Sequence, residues 1–474
     1  MRPLVKIELS EDRLFPVDAG TRKIARSLYE RVADLPIISP HGHVSPVLLL
    51  DDRPFADPAE LFIRHDHYVT RVMHSMGVDF SRLGIPDRRG GDEPASPREA
   101  WKTFCEHWHA YAGTASGYWL TDVFVRLFGI DEAPCADNAD MLFDTIQQAL
   151  QQTSFRPRAL FDRFNIEVLA TTDDPLDTLI PHRALAQDQS FKGRVIPTFR
   201  PDAYLDPMAE GWRERVFALL DASDATGTDY LAYIDALEVQ RQRFIEMGAV
   251  SADHGVRQPL TVEMGRMEAA ALFDAGMKGK LDKKDAVRFA GHMLMEMARM
   301  SVQDGLVMTI HPGVYRNHHN ETLEHYGRDM GHDIPVRTRF AQSLRPLLER
   351  YGTAAGFHLV LFTVDETNFS REIAPLAGCY PSVYIGAPWW FLDAPDAVQR
   401  FRSAVTETAG FYKSSGFIDD TRAFLSIPAR HDMSRRLDAS FLARLVGEGR
   451  LPRAMAERVM IDLVDTMPRK VFKL

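Results

Sequence analysis

The spacing of apolar positions changes along the chain. From about residue 72 to 164 they recur at three- and four-residue steps, the spacing of one helix face, with little that reads as strand. "NADMLFDTIQQALQQ" is the clearest helix there, with Asn138 at the capping position. Beyond residue 165, short β-branched runs recur, each ending in polar residues. They are "IEVLATTDDP" (166–175), "RVIPTFRPD" (194–202), "RFIEMGAVSADHG" (243–255), "LVMTIHPG" (306–313), "HLVLFTVDE" (358–366), "SVYIGAP" (382–388) and "GFIDDTR" (416–422). Helical patterns separate them. "DAVRFAGHMLMEMARMSVQDG" has Asp285 at its start and Gly305 where a helix stop belongs, and "RTRFAQSLRPLLERYG" closes at Gly352.

An earlier run, "PIISPHGHVSP" (36–46), supplies an eighth strand. Strands alternating with helices pair in parallel through right-handed crossovers. Eight of them predict an α/β fold, a (β/α)8 TIM-type barrel with a helical insertion after strand 1. The expected segments are 1–71 with strand 1, the insertion 72–164, and the rest of the barrel, 165–474. An open doubly wound sheet is the second choice, weakened because no GxGxxG follows the first strand. The Gly-, Pro- and charge-rich stretch from Gly84 to Glu99 reads as a surface loop.

A barrel carries its chemistry at the C-terminal ends of its strands. Strand 1 ends in His41 and His43, which a period of two points the same way, as half of a metal site would require. Two other HxH triplets, at 65–67 and 107–109, have no strand before them. Asp420 ends strand 8, the neighbour of strand 1 in a closed barrel, and a carboxylate there completes an N,N,O donor set; a cap or ion-pair role is the plainer alternative. His311 ends strand 5, as a third imidazole ligand, a substrate contact or a structural histidine. Arg200, Arg316 and Arg422 fall near the same rim, where a guanidinium fork suits a carboxylate; the competing partners are Asp202 for Arg200 and Asp420 for Arg422. Tyr68 is a candidate acid/base group or a buried tyrosine at a loop-to-helix junction. Asp253 and His254 follow strand 4, and "TTDDP" suits turn and capping chemistry.

Composition narrows the partners. With 66 acidic residues against 56 Lys and Arg the formal charge is −10, which argues against nucleic-acid binding and weakly against anionic membranes. Three widely spaced cysteines, Cys105, Cys135 and Cys379, make no disulfide framework and suit a reducing compartment. "MRPLVKIELSEDRLF" has acids where a signal peptide needs an apolar core, and no apolar run is long enough to span a bilayer. The expectation is a cytoplasmic protein.

Taken together, "PIISPHGHVSP", "HDHYVTRVM", "LATTDDPLDTL", "PTFRPD", "SADHG", "IHPGVYRN" and "DDTRAFLSIPARHDMSRR" resemble, in order and spacing over nearly the whole chain, the uronate isomerases, a divergent branch of the amidohydrolase superfamily. The resemblance implies aldose–ketose isomerisation of a small-molecule hexuronate and a homo-oligomer. It implies His41, His43 and Asp420 as ligands of one divalent metal ion, zinc first, with manganese, cobalt or iron as alternatives. "RFIEMGAV" has no counterpart of the lysine that bridges two metals in many superfamily hydrolases. It implies Asp420, Tyr68, Arg422 and His311 as catalytic groups, and Arg200, His67, Asp253 and Arg316 as substrate contacts. The alternatives are a one-metal hydrolase, lactonase or decarboxylase of an acidic sugar or small carboxylate, and a non-catalytic sugar-acid binder.

Overall fold

In the computed structural model, which describes residues 5–91 and 93–474, the strands β1 to β9 are Ile37–Ser39, Ile166–Ala170, Arg194–Ile196, Ser251–Val256, Val307–Pro312, Val314–Tyr315, Ile334–Pro335, Leu359–Leu361 and Val383–Ile385. One parallel sheet runs β1-β2-β3 and a second runs β4-β5-β8-β9. β6 and β7 form a small antiparallel pair. Isolated parallel bridges join Phe199 to Ala252 and Ile385 to Ser414. Among the described residues the strand ladders do not close into a ring. No described helix is long and apolar enough to cross a membrane.

Both faces of these sheets are dry, which is why the strands read as continuous apolar runs. Ile38, Val168, Ala170 and Ile196 pack together on one face of the first sheet. Ile37, Leu169 and Val195 pack on the other, against the helical layer, whose cluster Ile166 joins at the start of β2. In the second sheet Val307, Val360 and Tyr384 share one face, while Met308, Ile310, Leu359, Leu361, Val383 and Ile385 join the large helix-side core. The step of two continues along β5, so Thr309 and His311 follow Val307 on the inner face. That face changes from apolar to polar towards its C-terminal end.

Two strand expectations are corrected. The run 243–255 is not one strand: helix Tyr230–Glu246 takes up its first residues, and β4 starts at Ser251. Gly248, at φ 89°, makes the turn between them. The candidate 416–422 is not a strand. Gly416 (φ 79°) and Asp420 (φ 43°) hold left-handed backbone that no extended strand contains. Asn138 also differs from expectation: it makes no cap bond. Its side chain accepts from the Cys135 amide at 2.8 Å and donates to the Ala133 carbonyl at 3.0 Å.

Other signals hold where local chemistry decides them. Helix Lys283–Asp304 stops as expected at Gly305 in the left-handed region, φ 86°, but it starts ahead of Asp285: Asp282 is the cap, and its carboxylate accepts the Asp285 amide. Helix Pro97–Glu106 starts with a Ser96/Glu99 capping box at the end of the expected surface loop, of which Asp92 lies outside the described residues. Helix His67–Ser75 straddles the expected boundary at residue 72.

The helix Ile427–Gly447 is buried along nearly its whole length although it carries Arg430, His431, Asp432, Arg435, Arg436 and Asp438. Arg402 meets Asp438 through two bonds of 2.8 and 3.1 Å. Arg435 donates to the carbonyls of Val32, Ala33, Leu35 and Pro36 at 2.9–3.1 Å, tying down the residues that lead into β1.

Beyond β2, burial pushes the Asp173 carboxyl up to about 7. Its Oδ2 accepts the Thr171 hydroxyl at 2.6 Å and the Thr198 amide at 3.2 Å. An unfolded aspartate titrates near ~4. The native state therefore holds the extra proton between about pH 4 and about pH 7, and stability falls as pH rises through that window. Asp173→Asn is expected to stabilise the fold at pH 8 by a few kcal/mol at most, a shift of about three units being worth ~4 kcal/mol, and to change little at pH 4. Denaturant unfolding at the two pH values checks this, and equal effects at both would refute it.

Candidate active site and metal centre

The chain leaves β1 through Pro40 and places His41 and His43 beside Asp420. Gly42 between them packs in ordinary contact with its neighbours: a Cβ there would lie 3.4 Å from the Ala170 carbonyl and 3.6 Å from that of Thr421. The His43 amide donates to the Thr421 carbonyl at 2.9 Å, so the two segments are directly bonded. His41 Nε2 is 3.3 Å and His43 Nε2 3.0 Å from Asp420 Oδ1. The three ligand atoms lie within 4.8 Å of one another, and His41, Asp253 and His311 form a second such group. Asp420 Oδ1 and His311 Nε2 are buried without a hydrogen-bond partner. Buried donors and acceptors are normally satisfied, so two imidazole nitrogens and a carboxylate oxygen left facing one another fit a divalent cation.

Electrostatics agree with this geometry. Burial alone would raise the Asp420 carboxyl, but the close approach and charge of His41 and His43 hold it well below the usual carboxylate range. At His41 burial opposes protonation, yet Asp253 and Asp420 raise it above its ordinary value; at His43 burial prevails and lowers it. His67 is held well below its ordinary value by burial first and then by the charge of Arg422.

Behind the histidines, Asp253 lies on β4 with no exposed surface. Its Oδ1 meets His311 Nδ1 at 2.6 Å and accepts the Thr309 hydroxyl at 2.6 Å. Arg200 Nη1 lies 3.3 Å from its Oδ2, while Arg200 Nε donates to Asp202 at 2.8 Å. The His311 ring stacks on His41 at 4.6 Å and on Phe362 at 3.9 Å. The pair Asp253–His311 thus orients one imidazole nitrogen inward and leaves Nε2 towards the cavity side, an arrangement suited to a ligand or a proton carrier.

These groups open onto a cavity of about 550 Å³. His41, His43, His67, Tyr68, Arg200, His311, Arg316, Asp420 and Arg422 all line it. Asp253, expected as a substrate contact, does not: it sits one layer back, because the inner face of β4 is covered there by His311 and Arg200. Arg422 pairs with Asp329 at 3.5 Å and not with Asp420. Arg316 pairs with Asp333 at 2.6 Å and is half exposed. Tyr68 lies in the first turn of the helix His67–Ser75, capped by Asp66, which accepts the Tyr68 amide at 2.9 Å. Burial pushes its phenol well up, against the opposing charge of Arg430.

Several wall residues escaped the sequence reading: Thr172, Asn317, Arg328, Asp329, Trp389 and Trp390. Thr172 belongs to "TTDDP", read as turn chemistry; its hydroxyl donates to the Gly42 carbonyl at 2.9 Å. The tandem tryptophans follow strand β9, so their place after a strand end was the available signal. Residues 316–333 form an excursion held at its base by the β6/β7 pair, and nothing in their periodicity announces a site. Asn317, Asp329, Trp390 and Asp420 all have positive φ, between 43° and 65°. Asp and Asn tolerate this conformation, whereas a tryptophan there is strained, and such strain gathers at functional sites.

The architecture and the site define a parallel α/β protein with two histidines just after strand β1 facing Asp420 on an irregular segment, a His-His-Asp donor set. The profile of the glucuronate isomerase family matches residues 18–471, and the chain belongs to that family. A uronate isomerase of Corynebacterium efficiens is 50% identical over 464 residues, covering 98% of both chains. One of Phenylobacterium zucineum is 48% identical, covering 100% of this chain and 98% of that one. The crystal structure of a glucuronate isomerase from Caulobacter crescentus superposes with a TM-score of 0.96 at 46% identity, over 99% and 98% of the two chains.

The donor set carries its own test. Zinc titration of chelator-treated protein, followed by calorimetry, is expected to show one tight site per chain, weakened at least ~10-fold in His41→Ala, His43→Ala and Asp420→Asn. Unchanged affinity in all three would exclude this site.

Proposed function

We propose that this protein is an aldose–ketose isomerase of hexuronates, converting D-glucuronate to D-fructuronate and D-galacturonate to D-tagaturonate. The observation that carries the reading is one cavity that joins an ionised carboxylate, a phenol, unpaired imidazole nitrogen and several guanidinium groups, in a chain that matches the glucuronate isomerase family over residues 18–471. An acidic sugar asks for that combination. Its carboxylate needs a cation, and its hydroxyl and carbonyl oxygens need proton donors and acceptors.

His41, His43 and Asp420 would hold one divalent cation, zinc first, with manganese, cobalt or iron compatible with the same donors; when bound it supplies Lewis acidity to substrate oxygen. The chain's own residues do the rest. In the open-chain aldose the C2–H bond breaks and its proton passes to the Asp420 carboxylate. Electrons move to form the C1–C2 enediol as O1 takes a proton. Return of a proton to C1, with loss of the O2 proton, leaves the ketose, and mass is unchanged. Tyr68, held protonated by burial, is placed to donate and recover the oxygen-bound proton. Arg422, with only a 3.5 Å contact to Asp329, is free to turn to substrate and hold the O1/O2 end. Arg200, already shared between Asp202 and Asp253, presents a fixed charge to the remote carboxylate or its hydroxyls. His311 and His67 complete the polar wall, and Arg316 stands at the rim.

We propose further that both sheets belong to one closed (β/α)8 ring, with 416–422 taking the eighth place irregularly. The Phe199–Ala252 and Ile385–Ser414 bridges and the bond from the His43 amide to the Thr421 carbonyl support this.

NMR of metal-loaded protein with each sugar acid in D₂O is expected to show ketose of unchanged composition. Asp420→Asn and Tyr68→Phe should each lower kcat by about 10²- to 10⁴-fold, the range of general acid–base catalysis. Loss of carbon dioxide, or no turnover of either acid by folded, metal-loaded protein, would sink the proposal.

A further inference from the structure

Arg430 lies outside the cavity lining, yet it touches three of the elements that make its wall. It has no exposed surface. Its Nη1 donates to Asp393 Oδ2 and lies 3.4 Å from the Asp419 carbonyl, the residue before Asp420. Its Nε donates to the Ser426 hydroxyl at 3.1 Å. Its Cζ lies 3.6 Å from the centre of the Trp119 ring and 4.8 Å from the centre of the Tyr68 ring. Asp393 in turn donates its amide to the Trp390 carbonyl at 3.1 Å, which anchors the strained tryptophan corner. Trp390 meets the Tyr68 ring edge-on at 4.6 Å.

A guanidinium has five N–H donors. Both on Nη2 are buried and without a partner among the described residues, as is Asp393 Oδ1. A fold that needed this pair only for stability would satisfy those atoms or replace them with apolar groups, since buried ion pairs are poor stabilisers for their cost. Burial pushes Asp393 up to about 7 against the pull of Arg430, while the guanidinium keeps its charge. That charge also opposes the effect of burial on the Tyr68 phenol.

We infer that Arg430 is a positioning residue for the reaction: it fixes Tyr68, the Trp390 corner and the Asp419–Asp420 peptide in one arrangement and acts on catalysis through Tyr68. The inference rests on the role given above to Tyr68. Because Arg430 does not line the cavity, its loss spares substrate binding and slows turnover. Lysine keeps the charge but not the planar fork that reaches Asp393, Ser426 and the two rings together.

A double-mutant cycle separates this from a structural role. Arg430→Lys, Tyr68→Phe and the double variant are compared for kcat, KM and thermal midpoint, with metal loaded. Arg430→Lys is expected to lower kcat about 10- to 100-fold with KM within about threefold, and to cost less than about threefold once residue 68 is phenylalanine. Asp393→Asn, which leaves the guanidinium in place, repeats the test if Arg430→Lys does not fold, with the same expected collapse of its cost. Additive losses would overturn the inference and leave Arg430 as part of the scaffold. A rise in KM with kcat unchanged would overturn it too. If Tyr68→Phe is fully active, the role of Tyr68 fails and the inference with it, while loss of activity in Asp420→Asn would show that the isomerase reading stands.

Discussion

Charge that cannot reach water has to be matched inside the protein, and the helix Ile427–Gly447 concentrates that demand. It brings arginine, histidine and aspartate side chains into the interior and forces neighbouring elements to answer them. Arg435 is answered by four carbonyls of the segment before β1, Arg402 by Asp438, and Arg430 by Asp393. Breaking a buried pair costs roughly 3–5 kcal/mol, whereas an exposed pair is worth about 0–1 kcal/mol. By that measure Arg430–Asp393 constrains the fold and the half-exposed Arg316–Asp333 hardly does. The segment leading to His41 and the peptide before Asp420 are both tied to this one helix, so the distance between the candidate metal ligands depends on it.

The cavity resolves an apparent contradiction between an acidic protein and an anionic substrate. Charges more than about 8 Å away through solvent are largely screened, while those in an enclosed pocket are not. Arg200, Arg316, Arg328 and Arg422 line the same space as Asp329, Asp333 and Asp420. The formal charge of −10 is therefore a poor guide to the field at the site. Engagement differs among the arginines. Arg200 has two carboxylate neighbours, and Arg422 has one at the limit of contact, which leaves Arg422 the freer hand for substrate.

Asp253 shows how one layer of packing divides roles. A carboxylate on the inner face of β4 could have met substrate directly. It is covered by His311 and Arg200, and so sets the orientation of the first and the charge of the second. Burial that would raise its carboxyl is outweighed by His311, His41 and Arg200, and it stays ionised. A fixed negative charge at that place favours a metal cation held by the imidazoles beside it.

The sequence by itself determined the parallel α/β class, seven strand positions and the pairing of His41 with His43 after β1; Asp420, Tyr68, Arg200 and His311 stood as candidates beside plainer alternatives, and the fold brings them to one cavity. The reason is that these depend on local rules: apolar runs of strand length, a helix stop such as Gly305, and polar residues just after a strand such as β1. It misplaced the start of β4, because an apolar helix end and an apolar strand look alike over so few residues. It also made a strand of 416–422, because positive φ at Gly416 and Asp420 comes from the packing around them. Only the tertiary structure decided that Arg422 faces Asp329, that Asp253 stands behind His311, that the excursion 316–333 walls the cavity, and that Arg430 reaches Tyr68, Trp119 and Asp393 together. Those contacts join residues tens to hundreds of positions apart, and no local periodicity encodes which distant side chain will meet a buried charge.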